Sequence, residues 1–312
     1  MEELHVLLVE DNENDAELIL RELKKANGYQ ILMERVETED QFKQALHRQL
    51  WEVIICDSVM PSFSAARALE LIEGYGLTSP FILVSGKISE QDARKILGWK
   101  SVHGYISKDK LSDLGPLFRR EIRLSSEYDK MLESWAQALG LRDKETQGHS
   151  ERVTELTIKL ARAMSISETQ IVHIRRGALM HDVGKMGVPD ELLLKAGKLS
   201  EEELYVMRKH PKMGYDLLRP MEYLKNSLDI PYCHHEHWDG SGYPRGLKSE
   251  EIPLSARIFA VVDTFDAMTN DRPYRAALPI HSVLQYIREQ SGKLFDPQVV
   301  DVFLEMFEKV ET

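Results

Sequence analysis

One stretch organises the second half of the chain: His234-His235-Glu236-His237-Trp238-Asp239-Gly240-Ser241-Gly242-Tyr243-Pro244. It contains three histidines and two carboxylates, and it then turns through two glycines and a proline. A core strand could not bury so many imidazoles unpaired, so this composition favours metal ligands. Neutral imidazole suits Zn, Fe, Cu and Ni, whereas carboxylates suit harder ions.

Further side chains of the same chemistry recur along the second half. The candidate metal ligands are Glu145, His149, His181, Asp182, His210, His234, His235 and Asp263. This set is too large for one tetrahedral zinc ion, and it suits two or three octahedral ions about 3.5–4 Å apart. Asp182 is placed to bridge two of these ions.

The local sequence around these ligands predicts how they are presented. Glu145 and His149 are four residues apart, which places them on one face if the segment is helical. His210 precedes Pro211, where a helix is expected to end. Asp263 follows the apolar run 258–262, and a carboxylate buried there must be paired or bound to metal.

Cations and a glycine-rich loop complete a predicted phosphate site. Lys185 follows His181 by four residues and would neutralise a phosphate, so the predicted catalytic residues are His181, Asp182 and Lys185. Further substrate-binding candidates are Gly242, Tyr243, Pro244, Arg272 and Arg275. Taken singly, one histidine on an apolar helix is more often a satisfied core residue, and two arginines are more often surface or capping residues.

The first half alternates apolar strand-like runs with helical patterns. The strands are predicted at residues 4–9, 31–36, 53–56, 81–84 and 102–106, with helices between them, including 38–49, 64–73 and 89–97. This alternation is typical of an α/β fold with a doubly wound parallel sheet, in which ligands bind beyond the carboxyl ends of the strands.

Polar side chains stand at those strand ends. They are Glu10, Asp11, Asp57, Ser85 and Lys108. Three carboxylates around one point repel one another unless a hard cation joins them, and Mg²⁺ fits oxygen ligands. Asp57 could then attack a phosphoryl group, which Ser85 and Lys108 would contact.

Length and composition bound the remaining possibilities. The 312 residues suggest about two domains, and the formal net charge of −11 argues against broad contact with nucleic acid. The start of the chain is unlike a signal peptide, and no apolar run approaches the ~20 residues of a membrane span. With only Cys56 and Cys233, a reducing cytoplasm is expected and a membrane location is not.

Between the halves, residues 125–139 are predicted to form a helical linker. Its apolar stripe could pair with a second copy as a short coiled coil, giving a homodimer, or could pack on its own domain. From residue 140 to 312 the helical patterns 150–164, 168–180, 200–209, 258–268, 280–290 and 297–307 predict an all-α domain.

Residues 1–124 resemble the receiver domain of two-component response regulators, because the five polar positions match in order and strand placement. The resemblance implies that a sensor histidine kinase phosphorylates Asp57 in the presence of Mg²⁺ held by Glu10, Asp11 and Asp57. It also places Ser85 and Tyr105, together with Lys108, at the switch positions of the family.

The second half resembles the HD-GYP branch of the HD phosphohydrolases. The matching stretches are residues 142–149, His181-Asp182-Val183-Gly184-Lys185, His234-His235-Glu236, residues 239–244 and residues 271–275. The resemblance implies hydrolysis of cyclic di-GMP to pGpG and GMP with two or three metal ions, iron or manganese favoured, and Glu145 at the third metal. Two alternatives stay open: a hydrolase of another cyclic dinucleotide or nucleotide, and a catalytically silent signalling adaptor.

Overall fold

The computed structural model describes residues 2–25, 28–58, 60–86, 102–143, 148–195, 197–271 and 276–308. The chain divides into two compact units. One comprises Met1–Asp129 and Ser167–Thr169, and the other comprises Lys130–Ile166 and Gln170–Thr312. The predicted helix over 89–97 lies outside the described residues.

The first unit contains a five-stranded, fully parallel sheet with the order β2-β1-β3-β4-β5. The strands are β1 (Glu2–Val9), β2 (Tyr29–Val36), β3 (Val53–Asp57), β4 (Phe81–Ser85) and β5 (Gly104–Ser107). The helices that alternate with them are α1 (Glu13–Lys24), α2 (Glu39–Arg48) and α3 (Ala65–Gly74). The predicted doubly wound α/β fold is confirmed.

The apolar runs of the strands follow from burial on both faces of the sheet. Successive residues of β3 point to opposite sides: Ile54 and Cys56 join the cluster around Phe42, whereas Val53 and Ile55 join the cluster around Phe118. A strand covered on both faces has no solvent side to mark with polar residues. The one charged side chain of β3, Asp57, therefore lies at the end of the strand.

Helix α4 (Leu114–Asp143) carries the chain from the first unit into the second. Gly115 and Pro116 do not interrupt it, since a proline in the first helical turn lacks only an N–H that has no partner within the helix. Four apolar side chains at spacings of four, three and four residues remain exposed along this helix. They are Leu124, Tyr128, Met131 and Trp135.

The described part of the second unit is built from helices, which confirms the predicted all-α domain. They are α5 (His149–Ala163), α6 (Glu168–Leu179), α7 (Asp190–Leu193), α8 (Glu201–Met207), α9 (His210–Leu218), α10 (Asp229–Cys233), α11 (Leu254–Thr269), α12 (Ile280–Glu289) and α13 (Pro297–Glu308). Among the described residues, no helix has the length and apolar character needed to cross a bilayer.

The helix end predicted before Pro211 is confirmed, because α8 ends at Met207. A further helix that was not predicted follows at once: His210 opens α9, and Pro211 lies in the first turn of that helix. The fixed φ of proline suits this position. His210 is consequently held at a helix start.

The core of the second unit surrounds α11. Ile258, Phe259 and Val262 are fully buried in one cluster with Val153 of α5 and Phe303 of α13. The apolar run that surrounds Asp263 is therefore the centre of the helical unit. A carboxylate carried by that helix is brought to the edge of the core, where its side chain keeps 22% exposure.

Candidate functional site

The helical unit brings the predicted ligands into two adjoining groups of three. His210, His234 and His235 form one group, and His149, His181 and Asp263 form the other. Within each group, one ligand atom from every residue lies within 4.8 Å of the others. Residues far apart in sequence are thus gathered into sets of the size that metal ions require.

Asp182 lies between the two groups. Its Oδ1 is 3.1 Å from Nε2 of His210 and 3.8 Å from Nε2 of His234. Its Oδ2 is 2.9 Å from Nε2 of His181, which belongs to the other group. One carboxylate therefore presents an oxygen to each set, as a bridging ligand must.

Short local segments position each ligand. His181 and Asp182 lie in the turn after α6, and His234 and His235 follow α10. His149 is the first residue of α5, directly after Gly148 with a left-handed φ of 78°. α5 starts at His149, and Glu145 lies outside the described residues.

The imidazole rings are oriented by hydrogen bonds from their inner nitrogens. Backbone carbonyls lie 2.8–2.9 Å from Nδ1 of three histidines, in the pairs His181 with Ala178, His210 with Met207 and His234 with Ile230. A carbonyl oxygen can only accept, so Nδ1 carries a proton in each of these rings, and Nε2 is the nitrogen that faces Asp182. This is the arrangement that neutral, metal-binding histidines adopt in proteins.

The donor set fits divalent transition ions. Histidine Nε2 atoms and carboxylate oxygens suit several divalent ions, and the described groups contain no thiolate of the kind that iron–sulfur clusters need. The two sets linked by Asp182 match the ligand arrangement of a two-metal site. The side chains present are consistent with divalent metal binding.

A second, smaller acidic group lies at the carboxyl edge of the sheet in the first unit. Oxygens of Glu10, Asp11 and Asp57 lie within 4.8 Å of one another, and Glu10 is fully buried. Nζ of Lys108 lies 2.9 Å from Glu10, 2.7 Å from Asp57 and 2.5 Å from Asp15. Burial of Lys108 opposes its charge, but these carboxylates raise its pKa above the ordinary value.

The two remaining switch candidates lie on β4 and β5 of the same sheet. Ser85 ends β4 and is buried, and its Oγ has no hydrogen-bond partner among the described residues. Tyr105 lies on β5 and packs against the cluster that contains Phe42 and Phe81. A buried hydroxyl without a partner is unusual and is available to an incoming acceptor.

Comparison with known proteins assigns both units. A family model for the HD domain matches residues 133–299, and one for the response regulator receiver domain matches residues 6–115. The chain belongs to the HD-domain family. It is a response regulator with an N-terminal receiver domain and a C-terminal HD domain.

Three relatives with named activities match different shares of this chain. "Cyclic di-GMP phosphodiesterase response regulator RpfG" of Xanthomonas campestris is 43% identical over 171 residues, 54% of this chain and 45% of that protein. "Probable cyclic di-GMP phosphodiesterase" of Vibrio cholerae is 32% identical over 298 residues, 81% of this chain and 67% of that protein. "3'3'-cGAMP-specific phosphodiesterase 3" of the same species is 41% identical over 153 residues, 49% of this chain and 33% of that protein.

The chain spans about half the length of several curated relatives that it matches, at 52% and 45% of two of them.

The electrostatics of the HD domain favour a charged Asp182 and neutral His234 and His235. Burial opposes the charge of Asp182, but His181 and Lys185 hold the pKa of this carboxyl well below its usual range. Burial, followed by the neighbouring imidazoles, lowers the pKa of His234 strongly, and lowers that of His235 to about 3. Both histidines are neutral at pH 7 and can bind a metal without first losing a proton.

The low pKa of His235 predicts a pH-dependent stability of the metal-free protein. An unfolded histidine titrates near 6.5, so between pH 6.5 and 3 the unfolded state binds more protons at this residue than the folded state does. The free energy of unfolding contributed by His235 therefore falls as the pH is lowered, by about 1.4 kcal/mol per pH unit.

Denaturant unfolding in the presence of a chelator at pH 6.5 and pH 5 measures this effect. His235→Gln should lose about 2 kcal/mol of the difference between the two pH values, because the titrating group is gone. The raised pKa of His181, which acts in the opposite direction, is present in both proteins. Equal pH dependence in the parent and the variant would contradict the prediction.

The sequence analysis missed Asp266, which orients a ligand of the HD domain. Its Oδ2 lies 2.7 Å from Nδ1 of His149, and its two oxygens receive hydrogen bonds of 2.7 and 2.9 Å from Arg152. Asn270 donates to the same carboxylate at 2.9 Å. The available signal was helical spacing, because Asp266 follows Asp263 by three residues and shares its side of α11.

Asp266→Asn is expected to weaken metal binding at the His149 group while leaving the fold intact. An amide can turn its NH₂ toward Nδ1 of His149, which would no longer favour the tautomer with a free Nε2. Loss of such outer partners costs about 10–100-fold in metal affinity or activity. Metal titration of the chelated protein measures this directly, and an affinity equal to that of the parent would show that Asp266 has no orienting role.

The loop that follows the paired histidines is fixed to the ligand His235. Glu236 is buried, and its oxygens accept from the backbone N–H groups of Arg245 at 2.7 Å and Leu247 at 2.9 Å. Tyr243 stacks on His235 with ring centroids 4.8 Å apart. Burial raises the pKa of Tyr243 to about 12, so its hydroxyl remains a donor at neutral pH.

Close packing explains the glycine before this tyrosine. A Cβ on Gly242 would lie 2.3 Å from the backbone nitrogen of His237 and 2.5 Å from the carbonyl oxygen of His235. The next peptide bond, Tyr243–Pro244, is cis. His237 lies within this loop, and its Nδ1 is 3.0 Å from Oγ of Ser241.

Of the three cations predicted to bind phosphate, Lys185 is the one that the structure describes. Nζ of Lys185 lies 2.7 Å from Oδ2 of Asp182 and 3.1 Å from Oδ2 of Asp143, so it stands beside the bridging carboxylate. Arg272 and Arg275 lie outside the described residues. Their proposed phosphate contacts remain predictions.

Proposed function

We propose that this protein is a metal-dependent phosphodiesterase that hydrolyses cyclic di-GMP to pGpG, GMP or both, and that phosphorylation of Asp57 tunes its activity. The observation that carries the proposal is Asp182, whose two oxygens face two separate three-ligand groups. The HD family and the cyclic di-GMP phosphodiesterases among its relatives support the substrate class.

The proposed ligands are Glu145, His149, His181, Asp182, His210, His234, His235 and Asp263. When bound, two or three divalent ions, for which iron and manganese are the best candidates, supply Lewis-acid polarisation of the phosphoryl oxygens and activation of water. Glu145 is the proposed ligand of the third ion.

The protein's own groups orient the substrate and balance its charge. Lys185 lies beside Asp182 and is positioned to donate to a non-bridging phosphoryl oxygen, where negative charge grows in the transition state. Tyr243 offers a ring face and a protonated hydroxyl next to His235, and Arg272 and Arg275 would hold the second phosphate.

Metal content and turnover, measured together, test this function. The full chain is purified without oxygen, loaded with Fe²⁺ or Mn²⁺, and supplied with cyclic di-GMP. Two or three ions per chain with pGpG or GMP as product support the proposal. Bound metal without any hydrolysis of cyclic di-GMP would refute it.

A second candidate substrate is another cyclic dinucleotide. It is favoured by the 41% identity to a phosphodiesterase named as specific for 3'3'-cGAMP. The base-recognition contacts that would separate the two substrates are not fixed by the metal ligands, which act on the phosphate. A panel of cyclic dinucleotides at equal concentration decides between them by kcat/KM, and hydrolysis of none of them would favour an adaptor.

For the receiver domain, we propose that Glu10, Asp11 and Asp57 hold Mg²⁺ and that a sensor histidine kinase donates a phosphoryl group to Asp57. The acidic group and the adjacent Lys108 support this, because Lys108 can exchange its carboxylate partners for the phosphoryl oxygens. Ser85 and Tyr105 are the proposed switch residues. Incubation with acetyl phosphate and Mg²⁺ should label the parent protein and leave Asp57→Asn unlabelled.

We also propose that the protein forms a homodimer through α4. The exposed residues Leu124, Tyr128, Met131 and Trp135 follow the four–three spacing of a coiled-coil seam. Tyr128→Glu should shift the sedimentation coefficient toward that of a monomer. Equal sedimentation of parent and variant would exclude this interface.

We place the protein in the cytoplasm, where the proposed kinase and nucleotide would meet it. The two described cysteines, Cys56 and Cys233, are buried and free, as expected of a protein in a reducing compartment.

A further inference from the structure

The last residue of α4 contacts the proposed catalytic lysine. Asp143 ends this helix, its side chain is 2% exposed, and its Oδ2 lies 3.1 Å from Nζ of Lys185. A buried carboxylate needs a partner, and this one faces an ammonium group that stands at the metal site. The sequence analysis assigned no role to Asp143.

The neighbouring residue holds the backbone that carries the same lysine. The Arg142 guanidinium donates to the carbonyl oxygens of Lys185 at 3.1 Å, Met186 at 3.0 Å and Val188 at 2.9 Å. It also pairs with Asp190 at 2.7 Å. Since three of these acceptors are backbone atoms, Arg142 fixes the path of the turn that follows Asp182.

Arg142 and Asp143 therefore hold Lys185 from two sides, its backbone and its ammonium group. A lysine side chain carries about 2 kcal/mol of rotamer entropy, and fixing it before the substrate arrives removes that cost from the reaction. In the described structure Lys185 also contacts Asp182 at 2.7 Å. If Asp182 held metal ions it would be a weaker acceptor for Lys185, whereas Asp143 is not among the proposed ligands and would keep its contact with the lysine.

We propose that Asp143 is a positioning residue for Lys185, and that the C-terminal end of α4 sets how far this lysine reaches toward the substrate phosphate. This inference rests on the proposed phosphodiesterase function. α4 begins at Leu114, within the residues matched by the receiver family model, and ends at Asp143. A displacement of this helix along its axis would therefore move Asp143 relative to Lys185, and through this contact it would alter the reaction rate.

The test compares Asp143→Asn and Arg142→Gln with a control on the same helix. Glu133→Gln removes the ion pair between Glu133 and Arg175 and leaves Lys185 untouched. Each full-length, manganese-loaded protein is assayed for kcat and KM with cyclic di-GMP, for metal content, and for the rate of reductive methylation of Lys185 by mass spectrometry. Reductive methylation needs no turnover, so it reports the position of the lysine independently.

Asp143→Asn is expected to lower kcat by about 10–100-fold with a smaller change in KM. Its metal content should equal that of the parent, and Lys185 should be methylated several-fold faster. Arg142→Gln should act in the same direction, Asp143→Glu should restore part of kcat, and Glu133→Gln should match the parent in all three measurements.

Two results would overturn the inference. One is an unchanged methylation rate of Lys185 in both Asp143→Asn and Arg142→Gln. The other is equal acceleration in Glu133→Gln, which would mean that general loosening of α4 is responsible. If the parent itself does not hydrolyse the substrate, the proposed function fails, whereas the methylation rates still decide the role of Asp143. If Asp143→Asn does not fold, Arg142→Gln provides the same comparison.

Discussion

Asp182→Asn is expected to lose more than about 100-fold of the phosphodiesterase activity, the largest loss for any single substitution of similar size. Loss of partners outside the ligand shell already costs about 10–100-fold, and Asp182 is the residue whose oxygens face both ligand groups. An asparagine keeps the shape but offers one oxygen and no charge. It would leave one group without its shared ligand and His181 without its anionic neighbour.

Metal analysis should accompany the activity assay, because the bridge predicts a defined stoichiometry. The variant should hold at least one ion fewer per chain than the parent. Asp216→Asn is the matched control: this aspartate also pairs with a lysine, Lys212, but it lies on α9 with its side chain 41% exposed. Parent-like metal content and turnover in Asp182→Asn would exclude the bridging role.

Gly184→Ala is expected to lower the free energy of unfolding of the HD domain by about 3 kcal/mol, toward the upper end of the usual cost of overpacking. A Cβ there would lie 1.8 Å from the carbonyl oxygen of His210 and 2.5 Å from the backbone nitrogen of Gly214. These are backbone atoms and cannot rotate away. The turn after Asp182 must therefore separate from the start of α9.

This separation would also move His210 away from Asp182, so metal affinity should fall together with stability. Thermal unfolding with and without Mn²⁺ measures both effects. Gly140→Ala is the control, because a Cβ at that helical position meets nothing within 4 Å, and the change from glycine to alanine favours a helix by up to about 1 kcal/mol. A melting temperature for Gly184→Ala equal to that of the parent would contradict the close packing of these two segments.

The architecture could be predicted well because apolar residues recur at the spacing of the buried positions in helices and strands. Apolar runs such as 53–56 can be read as strands covered on both faces, and their polar ends indicated one edge of the sheet. Predicted ligands such as Asp182 and His235 were recognisable by residue type, since few other roles require so many histidines in helical segments.

What the sequence did not reveal depends on contacts between distant segments. The steric effect of Pro211 on the preceding residue is local, so it indicated that a helix ends nearby but not that the next helix, α9, starts at His210. Asp143 and Asp266 carry ordinary surface-type side chains, and nothing local marks their pairing with Lys185 and His149. Their roles require the positions of two segments at once.

The bonds between imidazole Nδ1 atoms and backbone carbonyls have a consequence for how the site is assembled. In each case the carbonyl lies three or four residues earlier in the chain, so the rings of His181, His210 and His234 are each oriented by their own local segment. The metal-free HD domain then already holds its ligands in a receptive geometry, and loading an ion orders little additional chain. A site formed before the ion arrives accepts the divalent ions that fit its geometry and that the cell supplies, so the metal found in the protein would follow the conditions of growth.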